Sequence, residues 1–149
     1  MGLESELYYF CKPVQLLPVE QNVEFLPVQA FLADEPACKI MWELIDTQFR
    51  TRSKFLAIWP GVKYVAIHRD SEGSLDGFLL ITSPVNWQID YVVVRPDSRG
   101  QGIASALVVA AVNQAFLQMV PYVMLTSKES LRPLYEACGF EVIRSFAKV

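Results

Sequence analysis

Cysteine, histidine and basic charge are all scarce in this chain, and each scarcity removes a class of function. The three cysteines, Cys11, Cys38 and Cys138, are an odd set without a Cys-x-x-Cys pair. Neither a disulfide framework nor a zinc site is therefore expected, and a reducing, cytoplasmic setting fits. The single histidine, His68, lies in a strand-like stretch and reads as structural rather than catalytic. A net charge of −3 provides no basic face to neutralise phosphates, so no nucleic-acid partner is expected. The longest apolar helical stretch, around Ile103–Val112, is far short of the ~20 residues that span a bilayer, and no membrane partner is expected. The opening MGLESELYYF lacks the positive start and long apolar core of a signal peptide, and Glu6 stands where a myristoylation motif needs Ser or Thr.

What the chain does have is hydrophobic content. At 149 residues and 52% hydrophobic, residues 1–149 are expected to form one domain, large enough to bury about 70% of its unfolded surface without metal or disulfide help. Pro13, Pro18 and Pro27 break the first 33 residues into short extended pieces, with a first strand near Leu7–Cys11 or Val28–Leu32. Pro36 after Asp34-Glu35 suits a helix start, and Ile40, Trp42, Leu44, Ile45 and Phe49 continue a helical period to about Arg52. Ser53–Trp59 is ambiguous, and Pro60-Gly61 marks a turn. Strands are expected at Val62–Arg69, Gly77–Thr82 and Trp87–Val94, the first two joined by an Asp70–Ser74 hairpin loop. Ser83–Asn86 ends the second of them. A helix over Gly102–Leu117, a strand at Pro121–Leu125, a short helix over Leu131–Cys138 and a final strand at Phe140–Phe146 complete the plan. Pro133 is tolerated in that short helix if Ser130 is its N-cap, and Gly139 closes the other end.

The most informative stretch is Ile89–Leu107, IDYVVVRPDSRGQGIASAL. A β-branched strand ending at Val94 stops at Arg95-Pro96-Asp97, and Arg99-Gly100-Gln101-Gly102-Ile103-Ala104 opens an apolar helix. The unpaired amides and positive dipole end of such a helix favour an anion, and glycines let a pyrophosphate approach the backbone. The spacing is neither the GxGxxG of dinucleotide folds nor a Gly-Lys-Ser/Thr phosphate loop.

Arg99-x-x-Gly102-x-Ala104 after a Val-x-Val strand resembles the (Gln/Arg)-x-x-Gly-x-(Gly/Ala) signature of the GNAT superfamily of N-acetyltransferases. Leu134-Tyr135-Glu136-Ala137-Cys138-Gly139-Phe140 is similar to that family's Leu-Tyr-x-x-x-Gly-Phe segment. The resemblance is specific over Asp76–Val142. It implies an α+β fold, a twisted mixed sheet flanked by helices and splayed between two parallel strands, here Gln88–Val94 and Pro121–Leu125. It also implies acetyl-CoA as cofactor, its pyrophosphate held by Arg99, Gly100, Gln101, Gly102, Ile103, Ala104 and Ser105 and its pantetheine arm along Val92, Val93 and Val94.

The same resemblance implies direct transfer of an acetyl group to a small-molecule or peptide amine in a ternary complex, without metal. Tyr135 is the expected acid for the leaving thiolate, since a phenol hydrogen-bonded to sulfur is a usable donor. Asp90 is the candidate base, acting through water from the strand face it shares with Gln88 and Val92. The bland reading of Asp90 is a solvated strand residue. Gln88 stands close to where some members carry a glutamate base and cannot titrate, so a base from the substrate loops is the alternative. Acceptor pockets in this family are built by N-terminal helices and loops, here Pro36–Trp59.

Two features depart from the family pattern. Lys128 stands where many members have asparagine, and it is a candidate to reach a phosphate instead. Only nine residues, Glu141–Val149, follow Gly139-Phe140, enough for one strand where the family has two. A homodimer in which a second subunit completes the acceptor side is expected on that ground. The competing class is a non-catalytic module of the same fold that binds coenzyme A or a protein partner, and O-acylation of an alcohol uses the same cofactor site.

Overall fold

The computed structural model describes residues 5–19, 21–82 and 86–147. Seven strands make one sheet: β1 (Ser5–Cys11), β2 (Glu24–Pro27), β3 (Val62–Arg69), β4 (Leu75–Thr82), β5 (Trp87–Val94), β6 (Val123–Lys128) and β7 (Glu141–Ala147). Across the sheet they run β2-β3-β4-β5-β6-β1-β7. Every neighbouring pair is antiparallel except β5 and β6, which are parallel. Helices α1 (Val28–Leu32), α2 (Glu35–Leu44), α3 (Arg52–Ile58), α4 (Ile103–Leu117) and α5 (Arg132–Ala137) flank it. This is the mixed, helix-flanked sheet expected from the sequence.

Local chemistry accounts for most of the elements. The Asp70 carboxylate accepts from the amides of Glu72 and Ser74 at 2.9 and 3.0 Å, and Gly73 takes φ 85°, which together close the β3–β4 hairpin. Asp34 caps α2 by accepting from the Ala37 amide at 3.1 Å, with Pro36 in the first turn as expected. Helix α4 is apolar on nearly every face, so it is buried against the sheet and not merely laid on it. Its one deeply placed polar side chain, Asn113, accepts from the Leu17 amide at 2.7 Å and donates to the Leu17 carbonyl at 3.0 Å. The chain between β1 and β2 is thereby strapped across α4.

The N-terminal third departs from the sequence reading. Leu7–Cys11 is indeed a strand, but Val28–Leu32 is a helix that buries Phe31 completely. The helix expected to continue to Arg52 ends earlier. It passes at Leu44 into a π-helical turn over Ile45–Phe49, stops where Arg50 takes φ 51°, and restarts as α3 through the stretch left ambiguous. The Thr47 hydroxyl donates to the Glu43 carbonyl at 2.8 Å, a local bond that competes with regular helix. Strand β6 starts at Val123 and runs to Lys128, because β1 pairs with it rung by rung from Cys11 to Glu6. At the short helix Leu131, not Ser130, is the N-cap, while Pro133 and Gly139 (φ 94°) play their expected parts. Of the expected Ser83–Asn86 break, residues 83–85 lie outside the described residues.

The largest difference concerns β1. It inserts between β6 and β7, antiparallel to both, and buries Leu7, Tyr9 and Cys11. The sheet position beside β6 is therefore filled from the same chain.

Two cores lie on opposite faces of this sheet. Leu107, Val108, Ala111 and Ala115 of α4 pack on Ala66, Leu79, Ile81 and Ile89. Phe31, Met41, Ile45 and Phe55 pack on Val65, Ile67, Phe78, Leu80 and Val93. Gly77 sets the α4 contact, since a Cβ there would lie 2.8 Å from Ile103 Cγ2 and 3.3 Å from the Val93 carbonyl. Ile103 is β-branched and buried, so it has little room to move.

Two stability outcomes follow. Gly77→Ala is expected to destabilise the protein by about 1–3 kcal/mol in urea unfolding, the usual cost of overpacking. Burial pushes the Cys11 and Cys138 thiols up to about 11, from 9.0. A folded value above the unfolded one gives stability that is fully present below the unfolded pKa and lost as pH rises through the folded one. The melting temperature is accordingly expected to fall as pH is raised from 9 to 11.

Candidate active site

The parallel pair β5–β6 is joined only at its start, at Trp87 with Val123 and Gln88 with Met124. Beyond these two rungs the strands separate and a cavity of about 410 Å³ opens between them. Ile89, Asp90, Tyr91 and Val92 line it from β5, and Leu125, Thr126, Ser127 and Lys128 from β6. Glu6 of β1, Leu131 and Tyr135 close one side, and Phe49, Thr51, Lys54 and Ile58 the other. The last four fall within Pro36–Trp59, the stretch expected to build an acceptor side.

A bulge in β5 decides what faces this cavity. Leu80 pairs with Asp90 but Leu79 with Val92, so Tyr91 is the extra residue, and it takes φ 59°. Leu80 belongs to the core under α1–α3 and Leu79 to the core under α4. Asp90 therefore faces the α1–α3 side and Val92 the α4 side. The expectation that Asp90 and Val92 share a face is corrected here: strict alternation is broken by one residue between them. The Asp90 carboxylate accepts from the Thr82 hydroxyl at 2.6 Å.

Tyr135 comes from α5 and is 4% exposed. Its ring packs at 5.0 Å from Tyr9 and 6.0 Å from Phe140, and the Tyr9 hydroxyl donates to the Lys128 carbonyl at 3.1 Å. Burial raises the Tyr135 phenol above its ordinary pKa, with a hydrogen bond to the Ser127 side chain opposing the shift in part. The phenol thus keeps its proton well beyond neutral pH.

A second hollow of about 230 Å³ lies at the start of α4, lined by Val94, Ser98, Arg99, Gly100, Gly102, Ile103, Ala104, Ser105 and Leu134. Gly100 and Gly102 take φ 80° and 77°, conformations that L side chains rarely adopt. Among the described residues no side chain caps α4, and its first bond back to the N-cap runs from the Ala106 amide to the Gly102 carbonyl at 3.0 Å. The preceding amides are left for an anion. The Arg99 guanidinium donates to the Val94 carbonyl and to the Gln48 side chain, each at 3.2 Å. Leu134 and Tyr135, adjacent on α5, line the second and first cavities respectively.

Not every residue singled out by sequence arrives in these cavities. Val93 is buried in the core under α1–α3. Gln101 lines a neighbouring polar hollow that also holds His68 and Asp76, and its backbone carbonyl accepts from the Gln21 side chain at 2.5 Å. His68 is paired with buried Asp76 at 2.6 Å, apart from both cavities. Lys128 lines the opening between the strands and not the glycine hollow. Trp87 and Trp59 stack on Phe25 and Phe55. Sequence reasoning missed Gln21, Gln48, Tyr91, Ser127 and Tyr9. Each reaches the site through a bulge or a long-range contact that leaves no local pattern.

Comparison with known proteins points the same way. The chain resembles a GCN5-related N-acetyltransferase from Sphaerobacter thermophilus at 19% identity and TM-score 0.73, over 99% of this chain and 51% of that one. A GCN5-related N-acetyltransferase from Kribbella flavida is 18% identical at TM-score 0.65, with 97% and 57% covered. A tandem GNAT protein from the clavulanic acid biosynthesis pathway is 17% identical at TM-score 0.66, with 99% and 53% covered. The chain thus spans little more than half the length of these structures. No curated protein sequence matches it. The family model for the acetyltransferase (GNAT) domain matches residues 60–142. That match covers more than half of the chain and runs through the parted strands, the glycine turn and the Tyr135 helix: the chain belongs to the GNAT acetyltransferase family.

Proposed function

We propose that the protein is an acyl-CoA-dependent N-acyltransferase that moves an acetyl group from acetyl-CoA to an amine within a ternary complex. The observation that carries the proposal is the continuity of its parts. A glycine-lined hollow at an uncapped helix start and a cavity between parted strands are joined by α5, which presents Leu134 to one and Tyr135 to the other. The residues present fit the cofactor. The left-handed glycines 100 and 102 leave the backbone open to a pyrophosphate, and the single rung beyond Trp87 frees the following β5 backbone on its β6 side for an extended arm.

Acetyl-CoA, when bound, supplies an acetyl thioester. The chain supplies position and proton traffic. The first amides of α4 and the Arg99 guanidinium hold the pyrophosphate. Backbone groups near Val92 and Val94 align the arm, and a donor near Val92 polarises the carbonyl oxygen as charge develops on it. The amine nitrogen bonds to the carbonyl carbon as the carbon–sulfur bond breaks. Tyr135 gives its Oη proton to the departing sulfur, and Asp90 takes the amine proton through water. A lysine-like amine, with a pKa of ~10.4, needs such an acceptor at neutral pH.

Calorimetric titration of acetyl-CoA tests the cofactor site first. Binding is expected for the wild type and should disappear in Arg99→Ala/Gly102→Glu, which adds a carboxylate at a left-handed glycine facing the hollow. Tyr135→Phe should keep cofactor affinity while lowering kcat by about 10²-fold. The wild-type alkaline limb assigned to the phenol should lie above the ordinary tyrosine pKa of ~10, because the shift is upward. Binding without turnover of any amine would replace the enzyme by a non-catalytic coenzyme A module. For Asp90→Asn, an unchanged pH profile of kcat/KM would remove that carboxylate from the mechanism.

A further inference from the structure

Tyr91 carries an unexplained expense: a bulky residue held at φ 59° in the middle of a strand. Such strain persists where surrounding contacts over-determine it, and it concentrates at ligand clamps. Here the contacts are specific. The Tyr91 hydroxyl hydrogen-bonds the Thr51 hydroxyl at 3.0 Å, and Phe49 and Phe55 meet its ring edge-on at 5.4 and 5.1 Å. The bulge also places Tyr91 beside Asp90, with both residues lining the cavity between β5 and β6.

From this juxtaposition we infer that Tyr91 is a specificity-determining residue, and that the acceptor is a primary ammonium carried on an apolar arm. The inference rests on the acetyl-transfer reading and deepens it. Asp90, anchored by Thr82, offers the ammonium a carboxylate, and the rings of Tyr91 and Phe49 cover the carbons that follow. Of the other charges on this cavity, Lys128 stands opposite Glu6 in the β1–β6 register, and Lys54 is exposed on α3. At about 410 Å³ the opening is at the small end for ligand pockets, so it takes the tip of an acceptor. A polyhydroxylated amine would have to strip its hydroxyls of water against the Phe49–Tyr91 surface without repayment.

The test follows thiol release from acetyl-CoA by the whole protein with phenethylamine, cadaverine and glucosamine, alongside acetyl-CoA calorimetry. The expected result is a kcat/KM for the first two about tenfold or more above that for glucosamine. Tyr91→Gly suits the left-handed backbone but gives up the ring packed on Phe49 and Phe55, so the melting temperature should fall while acetyl-CoA still binds the folded protein and this preference collapses. Tyr91→Phe, which keeps the ring and loses only the Thr51 bond, should retain it. Turnover without preference in the wild type, or a preference that survives Tyr91→Gly, overturns the inference and leaves acetyl transfer standing. Absent acetyl-CoA binding, or binding with no thiol released by any of the three amines, overturns the acetyl-transfer reading and this inference with it.

Discussion

Everything at this site depends on the early parting of β5 and β6. Two rungs hold the parallel pair together, and a continuous ladder would leave no cavity and no unpaired β5 edge. Three features keep the strands apart. The Tyr91 bulge breaks the regular course of β5, β1 holds β6 from its far edge along six rungs, and α5 lodges Tyr135 at the opening. The separation is built into the pairing of the sheet, with the strongest pairing on the outside of each parted strand.

The N-terminal strand is as much a part of the site as the glycine turn. Tyr9 has no exposed surface, backs the Tyr135 ring and bonds to the Lys128 carbonyl. By filling the sheet between β6 and β7, β1 satisfies two ladders that would otherwise be open edges. The wall behind the proposed acid is thus assembled from residues 119 and more positions apart in sequence.

The same long-range economy ties the glycine turn to the N-terminal half. Gln21 reaches the Gln101 carbonyl, Gln48 receives Arg99, and Asn113 clamps Leu17 over α4. Arg99 is thereby held by neutral partners, the Val94 carbonyl and the Gln48 amide oxygen. Among the described residues no acid pairs with it, which leaves its charge available to an anion at the turn.

The local pieces are legible in neighbouring residues: the strands β3 to β5, the glycine turn, the apolar α4 and the short helix carrying Tyr135. Each is written in neighbouring residues, through β-branched alternation, proline and glycine punctuation, or an apolar helical run. The place of β1, the break of the expected helix at Ile45–Arg50, and the bulge that puts Asp90 and Val92 on opposite faces emerge only on folding. Those outcomes turn on partners far away in the chain. A strand has no intrinsic address in a sheet, and the bulged Tyr91 is met by Thr51, Phe49 and Phe55, all distant from β5 in the chain.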